Sequence, residues 1–277
     1  MAYRDILVYA DAMPAAAPRL DAAAQLAKAQ DAHLVALHVD VIPFTPVDVM
    51  GTGVTKKLVA WQMSIRKERT EAARQAVQAA ERRQDVAFEW RKVEGRIDEA
   101  LIDQGRYADL IVLSQDNRVT DLEAPIGPTA GNILMAAGRP VLVMPKEYKG
   151  TSIGRRVLVA WKPSAEATRA VHDALPLLQQ AEAVTVMRVN PDPEEPAHNP
   201  GADLATHLAR HGVNVTVTPV LAPDTAAGTA ILDQARAMQA DLIVMGAYGH
   251  SRLRELVFGG ATRQMLQAPP VPVLMSR

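Results

Sequence analysis

The sequence predicts an α/β protein of two similar domains, each a doubly wound, mostly parallel sheet of five strands with helices on both faces. Short apolar runs rich in Val, Ile and Leu alternate with Ala-rich segments of helical periodicity. One pattern occurs twice along the chain. The 277 residues are 48% hydrophobic and 22% charged, which is typical of a folded globular chain and allows one large domain or two.

The repeat links three pairs of segments. They are ADLIVLS (108–114) with ADLIVMG (240–246), RPVLVMP (139–145) with VPVLMSR (271–277), and RDILVYAD (4–11) with RRVLVAWK (155–162). The first two pairs share one offset in numbering (240 − 108 = 132 and 271 − 139 = 132), and the third has another (155 − 4 = 151). Two offsets mean that the first copy has a net insertion, which we place at 43–66 because its turn residues lack clean periodicity. A polar, glycine-containing junction predicts domains at 1–149 and 150–277.

Each copy contains five apolar runs that we expect to form strands. They are Ile6–Tyr9, Leu34–Val39, Val86–Trp90, Leu110–Leu113 and Val141–Met144 in the first copy, and Val157–Trp161, Val184–Val189, Val213–Val217, Leu242–Met245 and Val273–Met275 in the second. The runs are nearly continuous, as in parallel strands covered on both faces. Helical segments such as Leu20–Ala29 and Ala167–Leu178 lie between them. Ligands of such sheets bind at the carboxyl ends of the strands, where the strand order reverses.

Composition excludes several classes of protein. Lys plus Arg number 30 against 31 for Asp plus Glu, so no whole-molecule field attracts nucleic acid or an anionic membrane. Cysteine is absent, which excludes disulfides, thiolate nucleophiles and Cys-based metal sites. No stretch approaches the roughly 18–20 apolar residues of a membrane span, and the first apolar run is too short for a signal peptide. We therefore expect a soluble cytoplasmic protein without nucleic-acid or membrane partners.

The strongest functional signal is the loop after the fourth strand of the second copy. Gly246 and Gly249 are three positions apart, and Gly259 follows before a predicted helix that begins near Gly260. Glycine lets a ligand approach the main chain, and the start of a helix presents free N–H groups to an anion. Arg252 adds positive charge nearby. Together these features predict a cradle for phosphate.

This segment resembles the nucleotide-binding signature of the universal stress protein family in its tandem, two-domain form. That signature is glycine, two residues, glycine, nine residues, glycine, then Ser or Thr. The following ATRQMLQAPPVPVLM resembles the closing helix and strand of the family, and the likeness is strongest over 240–277. The resemblance implies an adenine-nucleotide alpha-hydrolase-like fold, with two domains related by a pseudo-twofold axis through their last strands. It implies ATP or another adenine nucleotide as ligand, with Mg²⁺.

The predicted nucleotide site combines the matching positions with two substitutions. Its members are Gly246, Gly249, Gly259, Gly260, Ala261, Thr262, Val189, Lys162 and Arg252. Gly260 stands where the family has Ser or Thr, so a hydroxyl contact is lost or displaced to Thr262. Lys162 stands where nucleotide-binding members carry an Asp for the ribose. Lysine cannot accept a hydrogen bond from a ribose hydroxyl, although it can reach phosphate. Val189 maps to the position of the adenine contacts in the family.

The first copy has the opposite deviations. It retains Asp11 at the end of the first strand, but Ser114 and Asn117 replace two of the glycines, and only Gly127 remains. Pro128 removes an N–H where the cradle needs donors, and the loop is acidic. We predict no nucleotide in the first half.

Two functions from different classes remain open. One is a stress-response protein that binds an adenine nucleotide in its second half and acts as a sensor or regulator. Any hydrolysis would be slow, because we find no general base and no metal-binding Asp cluster; we assign no catalytic residue and no metal ligand. The alternative is a nucleotide-free interaction scaffold with both sites degenerate. A third hypothesis is another anionic or apolar small molecule in the second half.

Two further features of the sequence bear on partners and metals. The insertion at 43–66, which contains Trp61 and Met63, and the predicted helix that runs on through Arg82 are the expected surface for a protein partner or for a homodimer. His207 and His211 are four positions apart on a predicted helix and could share a metal. No third ligand is evident in the sequence, so surface histidines are the preferred interpretation.

Overall fold

The computed structural model describes residues 2–41, 54–116, 127–189, 200–220, 227–248 and 260–277. The first half contains β1 Asp5–Tyr9, α1 Ala16–Gln30, β2 His33–Asp40, α2 Val54–Gln84, β3 Glu89–Glu94, α3 Ile97–Gly105, β4 Leu110–Ser114, α4 Ala130–Ala136 and β5 Val141–Met144. The second half contains β6 Arg156–Ala160, α5 Ala165–Leu178, β7 Ala183–Val189, α6 Pro200–Arg210, β8 Val215–Val220, α7 Ala227–Ala237, β9 Leu242–Gly246, α8 Gly260–Gln267 and β10 Val273–Ser276.

The strands form one continuous sheet in the order β3-β2-β1-β4-β5-β10-β9-β6-β7-β8. Each half therefore repeats the same doubly wound arrangement of five parallel strands, which confirms the predicted fold class. The halves join through β5 and β10, which pair antiparallel. Every residue of these two strands is buried. An apolar edge of this kind would invite aggregation if it were left open, and each half covers the edge of the other.

The pairing of β5 with β10 displays the pseudo-twofold relation between the halves. Leu142 pairs with Leu274, which is its own equivalent in the second copy (274 − 142 = 132). On either side, Val143 pairs with Val273 and Val141 with Met275. Equivalent residues can face each other in an antiparallel pair only where a twofold axis passes between them. The central pair of leucines therefore marks the axis.

The sheet is covered on both faces, which explains the nearly continuous apolar runs in the sequence. Ile6 and Val8 of β1 pack with α1 and α2 in one core, whereas Leu7 and Tyr9 pack with α3 and α4 in the other. The second half repeats this division with α5 and α6 on the first face and α7 and α8 on the second. Alternate side chains of a strand point to opposite faces, so a strand buried on both sides needs apolar residues throughout.

Two predicted strands were placed too early. The structure starts β3 at Glu89 and β8 at Val215, whereas the sequence indicated Val86–Trp90 and Val213–Val217. Phe88 and Val213 are apolar because they are buried in the core just before pairing begins. The residues that do pair are either half-buried or exposed, because both strands lie at the ends of the sheet. The apolar runs therefore locate the buried residue that precedes each edge strand, and they place the strand itself too early.

The predicted helix through Arg82 is confirmed as α2, whereas the turn character expected throughout 43–66 was wrong. Residues 54–66 are helical and form the first part of α2, and 43–53 lie outside the described residues. Helix α2 has 31 residues against 11 in α6, about 46 Å against about 16 Å at 1.5 Å per residue. The turn residues end at Gly53, and the segment after it is rich in good helix formers. Neither α2 nor any other helix of the described segments is both long and apolar enough to cross a membrane.

Candidate functional site

The structure brings several predicted site residues to one edge of the sheet. Gly246 ends β9, Val189 ends β7, and Lys162 follows β6, which lies between those two strands. Val189 is half-buried and Lys162 is exposed. Gly260 begins α8, with Ala261 and Thr262 in its first turn. Three predicted contacts, at Gly249, Arg252 and Gly259, lie outside the described residues.

Gly246 is explained by the packing of the chain on itself. A Cβ at this position would lie 2.4 Å from the backbone nitrogen of Ala167 and 2.7 Å from the carbonyl carbon of Glu166. The first turn of α5 thus rests directly on the end of β9. Ser164 caps the same turn, because its hydroxyl accepts a hydrogen bond from the amide of Ala167 at 3.3 Å. The close approach at Gly246 is between a strand and a helix of this chain.

The loop after β9 begins with a contact to the first half. Tyr248 has a φ of 58°, a left-handed conformation that is unusual for an aromatic residue. Its hydroxyl would lie 2.7 Å from a Cβ placed on Gly131, which belongs to α4. Any side chain at Gly131 would therefore displace the Tyr248 ring from α4.

The equivalent loop of the first half makes the reciprocal contact. The amide of Asp116 donates to the carbonyl of Leu266 at 2.9 Å, and Nε2 of Gln115 donates to the carbonyl of Gln267 at 2.5 Å. Both acceptors lie at the end of α8. In each domain, the start of the loop after the fourth strand is therefore anchored on the last helix of the other domain.

In the first half, a buried arginine fills the edge of the sheet where the parallel strands have their carboxyl ends. Nε of Arg19 donates to the carbonyl of Tyr9 at 2.8 Å, and Nη1 donates to Oγ of Ser114 at 2.7 Å. Nη2 lies 3.2 Å from Oδ2 of Asp11, and the guanidinium carbon lies 5.3 Å from the centroid of the Tyr9 ring. Arg19 is only 1% exposed. The cluster occupies the ends of β1 and β4, and burial together with Asp11 raises the pKa of the Tyr9 hydroxyl.

The start of α4 in the first half is already occupied by carboxylates of the chain. Oδ1 of Asp116 accepts from the amide of Ala130, and Oδ1 of Asp98 accepts from the amide of Thr129, both at 2.9 Å. Oδ2 of Asp98 also accepts from Nδ2 of Asn132 at 2.9 Å. Negative groups are favourable at this end of a helix because they compensate its dipole. The two amides that would face a phosphate are thus paired with acidic side chains.

The second half lacks every member of both clusters. By the two repeat offsets, Tyr9, Asp11, Arg19, Ser114 and Asp116 correspond to Ala160, Lys162, Ala170, Gly246 and Tyr248. The equivalent of Asp98 is Gly228, at the slightly different offset 228 − 98 = 130. Its Cβ would lie 3.0 Å from Cα of Ala261 and 2.4 Å from Oε1 of Gln264, the equivalents of Thr129 and Asn132.

Helix α8 therefore begins without the acidic caps of α4. Within the described ranges, no carboxylate accepts a hydrogen bond from the amides of Gly260, Ala261 or Thr262. The same part of the chain holds no group of three acidic, His or Cys residues that could bind a metal ion. Sequence reasoning missed Arg19, Asp98 and their roles. The signal that could have found them is the exchange of these polar residues for Ala and Gly between two otherwise matching copies.

Two doubly wound halves, joined in one sheet through their last strands, define a tandem α/β protein with the adenine-nucleotide alpha-hydrolase-like fold. The chain belongs to the universal stress protein family: the model of that family matches residues 2–145 and again residues 154–277.

Three similar proteins carry the same family name. A universal stress protein of Synechocystis sp. is 28% identical over 174 residues, which are 61% of this chain and 58% of that protein. The crystal structure of a universal stress protein from Archaeoglobus fulgidus superposes with a TM-score of 0.75 at 17% identity, covering 99% of this chain and 96% of the other. A universal stress protein solved in complex with cAMP is 21% identical, with a TM-score of 0.36, and the match covers 53% of this chain and 100% of the other.

Proposed function

We propose that the second half binds ATP or another adenine nucleotide and that the first half does not, so that the protein acts as a nucleotide-dependent sensor or regulator in the stress response. The observation that carries the proposal is the contrast between the two helix starts. Asp98 and Asp116 occupy the first amides of α4, and Gly228 and Tyr248 stand in their places beside α8.

The electrostatic consequence is large enough to distinguish the halves. Two unit charges about 4 Å apart interact with about 4 kcal/mol at an effective dielectric constant near 20. A phosphate at α4 would meet two carboxylates at close range, and every ~1.4 kcal/mol of repulsion costs a factor of ten in affinity. At α8 the helix dipole, worth about half a positive charge, is available to the phosphate.

The proposed contacts divide by chemistry. The amides of Gly260, Ala261 and Thr262 bind phosphate, and Lys162 adds a positive charge at the same edge. Val189 supplies an apolar surface for adenine. Gly249, Gly259 and Arg252 stay predicted contacts of the loop.

Mg²⁺ is proposed to be bound mainly by the phosphate oxygens and water, as is usual for this ion. Because Lys162 cannot accept a bond from the ribose, we expect weaker binding than an Asp at this position would give. Hydrolysis is proposed to be slow or absent, and the site of action is proposed to be the cytoplasm.

The experiment compares two substitutions at one position by calorimetric titration with Mg–ATP. Tyr248→Asp places a carboxylate where Asp116 stands in the first half, and Asp tolerates the left-handed backbone of this residue. Tyr248→Asn removes the same contacts without adding charge. We expect the Asp variant to bind at least tenfold more weakly than the Asn variant.

Asp116→Asn is the control in the first half. It keeps the oxygen that accepts from Ala130 and removes the charge, so ATP affinity should change by less than about twofold. An absence of binding heat to wild-type protein at millimolar ATP would contradict the proposal. Equal affinities of the two Tyr248 variants would remove its electrostatic basis.

The second candidate function is a nucleotide-free interaction scaffold, and the packing at Gly246 favours it. That glycine is required by the approach of α5 to β9, so its presence does not depend on a ligand. The expected partner surface is the segment 43–66, whose described part exposes Trp61 and Met63 by 61% and 62%. A homodimer through this surface should dissociate in Trp61→Glu, as measured by native mass spectrometry. An unchanged mass in that variant would count against this dimer.

A further inference from the structure

A cluster of three histidines lies between α5 and the end of α6 in the second half. The rings of His172 on α5 and His207 on α6 are 5.3 Å apart between centroids, and those of His207 and His211 are 4.7 Å apart. The described residues contain no group of three ligands that could hold a metal ion, so these rings are a contact between helices. Histidine ordinarily takes up a proton at about pH 6.5, so the charge of this histidine cluster depends on pH.

The first half holds the equivalent helices together with an ion pair. Nη2 of Arg83 on α2 lies 2.9 Å from Oδ1 of Asp21 on α1, and Nε of Arg83 also donates to this carboxylate. By the offset that aligns β1 with β6, Asp21 corresponds to His172 (172 − 21 = 151). The acidic member of the pair is therefore a histidine in the second half.

The arginine of this pair is retained in the second half. The left-handed residues Asp85 and Gly212 come after α2 and α6 and give the offset of these helices (212 − 85 = 127). At that offset Arg83 corresponds to Arg210 (210 − 83 = 127). An aspartate attracts the arginine across the two helices, whereas a protonated histidine in its place can only repel it. The contact between α5 and α6 has therefore lost an attraction and gained a repulsion that acid turns on.

Among the described residues, the acidic groups near the histidine cluster are too few to balance it once it is protonated. The charged residues around it are Asp203 and Arg210 on α6, Asp173 and Arg169 on α5, and Arg188 on β7. Oδ2 of Asp173 accepts from Oγ of Ser276 on β10, and Arg188 lies on the strand face that packs under α6. Asp203 lines the space between the two helices and offsets one charge of the three.

His207 is the member of the cluster that the folded state keeps uncharged. Its Nε2 is buried and has no hydrogen-bond partner in the described part of the chain. A charged imidazole carries N–H on both nitrogens, so one of them would be left without an acceptor. Burial, followed by His211, His172 and Arg210, lowers the pKa of His207. Protonation of this ring therefore favours a state in which it reaches water.

Helix α6 is the element that can move, because little holds it in place. It has 11 residues against 31 in α2, and it contacts β7 and β8 at the end of the sheet. Leu204 and Leu208 are the large side chains that it buries. Near its end, Nε2 of Gln179 donates to the carbonyl of His211 at 3.1 Å. Elements with few buried apolar contacts open locally before the whole protein unfolds.

We propose that the contact between α5 and α6 is a pH-sensitive switch, which is closed while the histidine cluster is neutral and releases α6 when the cluster is protonated below about pH 6. The ligand of this switch is the proton, and the signal that it reads is acidification. The switch goes beyond the proposed function and needs no nucleotide. Its failure would leave the assignment of the nucleotide site untouched.

Hydrogen exchange of the full-length chain without nucleotide measures the release of α6. Mass spectrometry compares amide protection at about pH 7.5 and about pH 5.5, on either side of the ordinary histidine titration, after correction for intrinsic exchange rates. Protection across Pro200–Arg210 should fall at least tenfold at the lower pH. Residues 73–84 of α2, the equivalent helix segment, should change by less than about twofold. Constant protection of α6, or an equal loss in 73–84, would overturn the proposal.

Substitutions at His172 test whether the histidine cluster is the cause. This residue is exposed, so changing it leaves the core as it is. His172→Asp restores the charges of the first half and should limit the loss of α6 protection in acid to less than about threefold. His172→Asn removes one proton without adding an acid and should give an intermediate loss. His33→Asn, at an exposed histidine of the first half, should respond as the wild type does. Equal losses in His172→Asp and the wild type would refute the assignment.

Discussion

Arg19 holds the carboxyl edge of the first half together, and shortening it should destabilise the whole protein. Its guanidinium has two hydrogen bonds, to the Tyr9 carbonyl and the Ser114 hydroxyl, and lies 3.2 Å from the Asp11 carboxylate. Arg19→Met keeps much of the aliphatic volume and removes these interactions. It leaves Asp11, whose side chain is 16% exposed, without its cation. Removing one member of a buried ion pair costs about 3–5 kcal/mol.

Urea unfolding of the full chain measures this cost against two controls. Arg236→Ala breaks an exposed pair with Asp233 and should leave the free energy of unfolding nearly unchanged. The double variant Arg19→Met with Asp11→Ala removes both charges and should recover at least about 1 kcal/mol relative to the single Arg19 variant, because no isolated buried charge remains. A cost of Arg19→Met no larger than that of Arg236→Ala would refute the description of this cluster as a buried, filled site.

Two further predictions concern the second half. Gly246→Ala should cost about 1–3 kcal/mol in urea unfolding, because its Cβ would lie 2.4 Å from the Ala167 nitrogen; Gly260→Ala meets no atom within 4 Å and should be close to neutral. The folded protein should lose stability as the pH falls below about 6.5, because the unfolded chain protonates His207 more readily than the folded one, whose His207 has a lowered pKa. His207→Gln should reduce this dependence of the unfolding free energy on pH, and an unchanged slope would contradict the burial of a neutral ring.

The repeat made the architecture predictable from the sequence. One constant offset aligned the last strands of both copies, and the structure pairs Leu142 with Leu274 at that same offset (274 − 142 = 132). The apolar runs identified the eight inner strands of the described sheet, because a strand covered on both faces has no polar face to interrupt it. The edge strands were misplaced because Phe88 and Val213 pack without pairing. Helix α2 was taken for a loop at its start because turn residues precede it.

The chemistry of the two edges could not be predicted to the same depth. An arginine in an Ala-rich helix is usually solvated, and the burial of Arg19 depends on Tyr9, Asp11 and Ser114, which are brought together only by folding. The capping of α4 needs the side chain of Asp98 from α3, which lies 31 residues before Thr129, the residue whose amide it accepts from. The spacing of residues in the sequence reveals a glycine loop. It does not reveal at which helix starts the first amides already donate to a side chain of the chain itself.

The number of ATP molecules bound per chain is the sharpest test of the difference between the two halves. Native mass spectrometry of the full chain with Mg–ATP counts them without labels or substitutions. We predict one ATP per chain, because two carboxylates accept from the first amides of α4, whereas none of the described residues places a carboxylate on the first amides of α8. Two ATP molecules per chain, or none at millimolar nucleotide, would contradict this assignment.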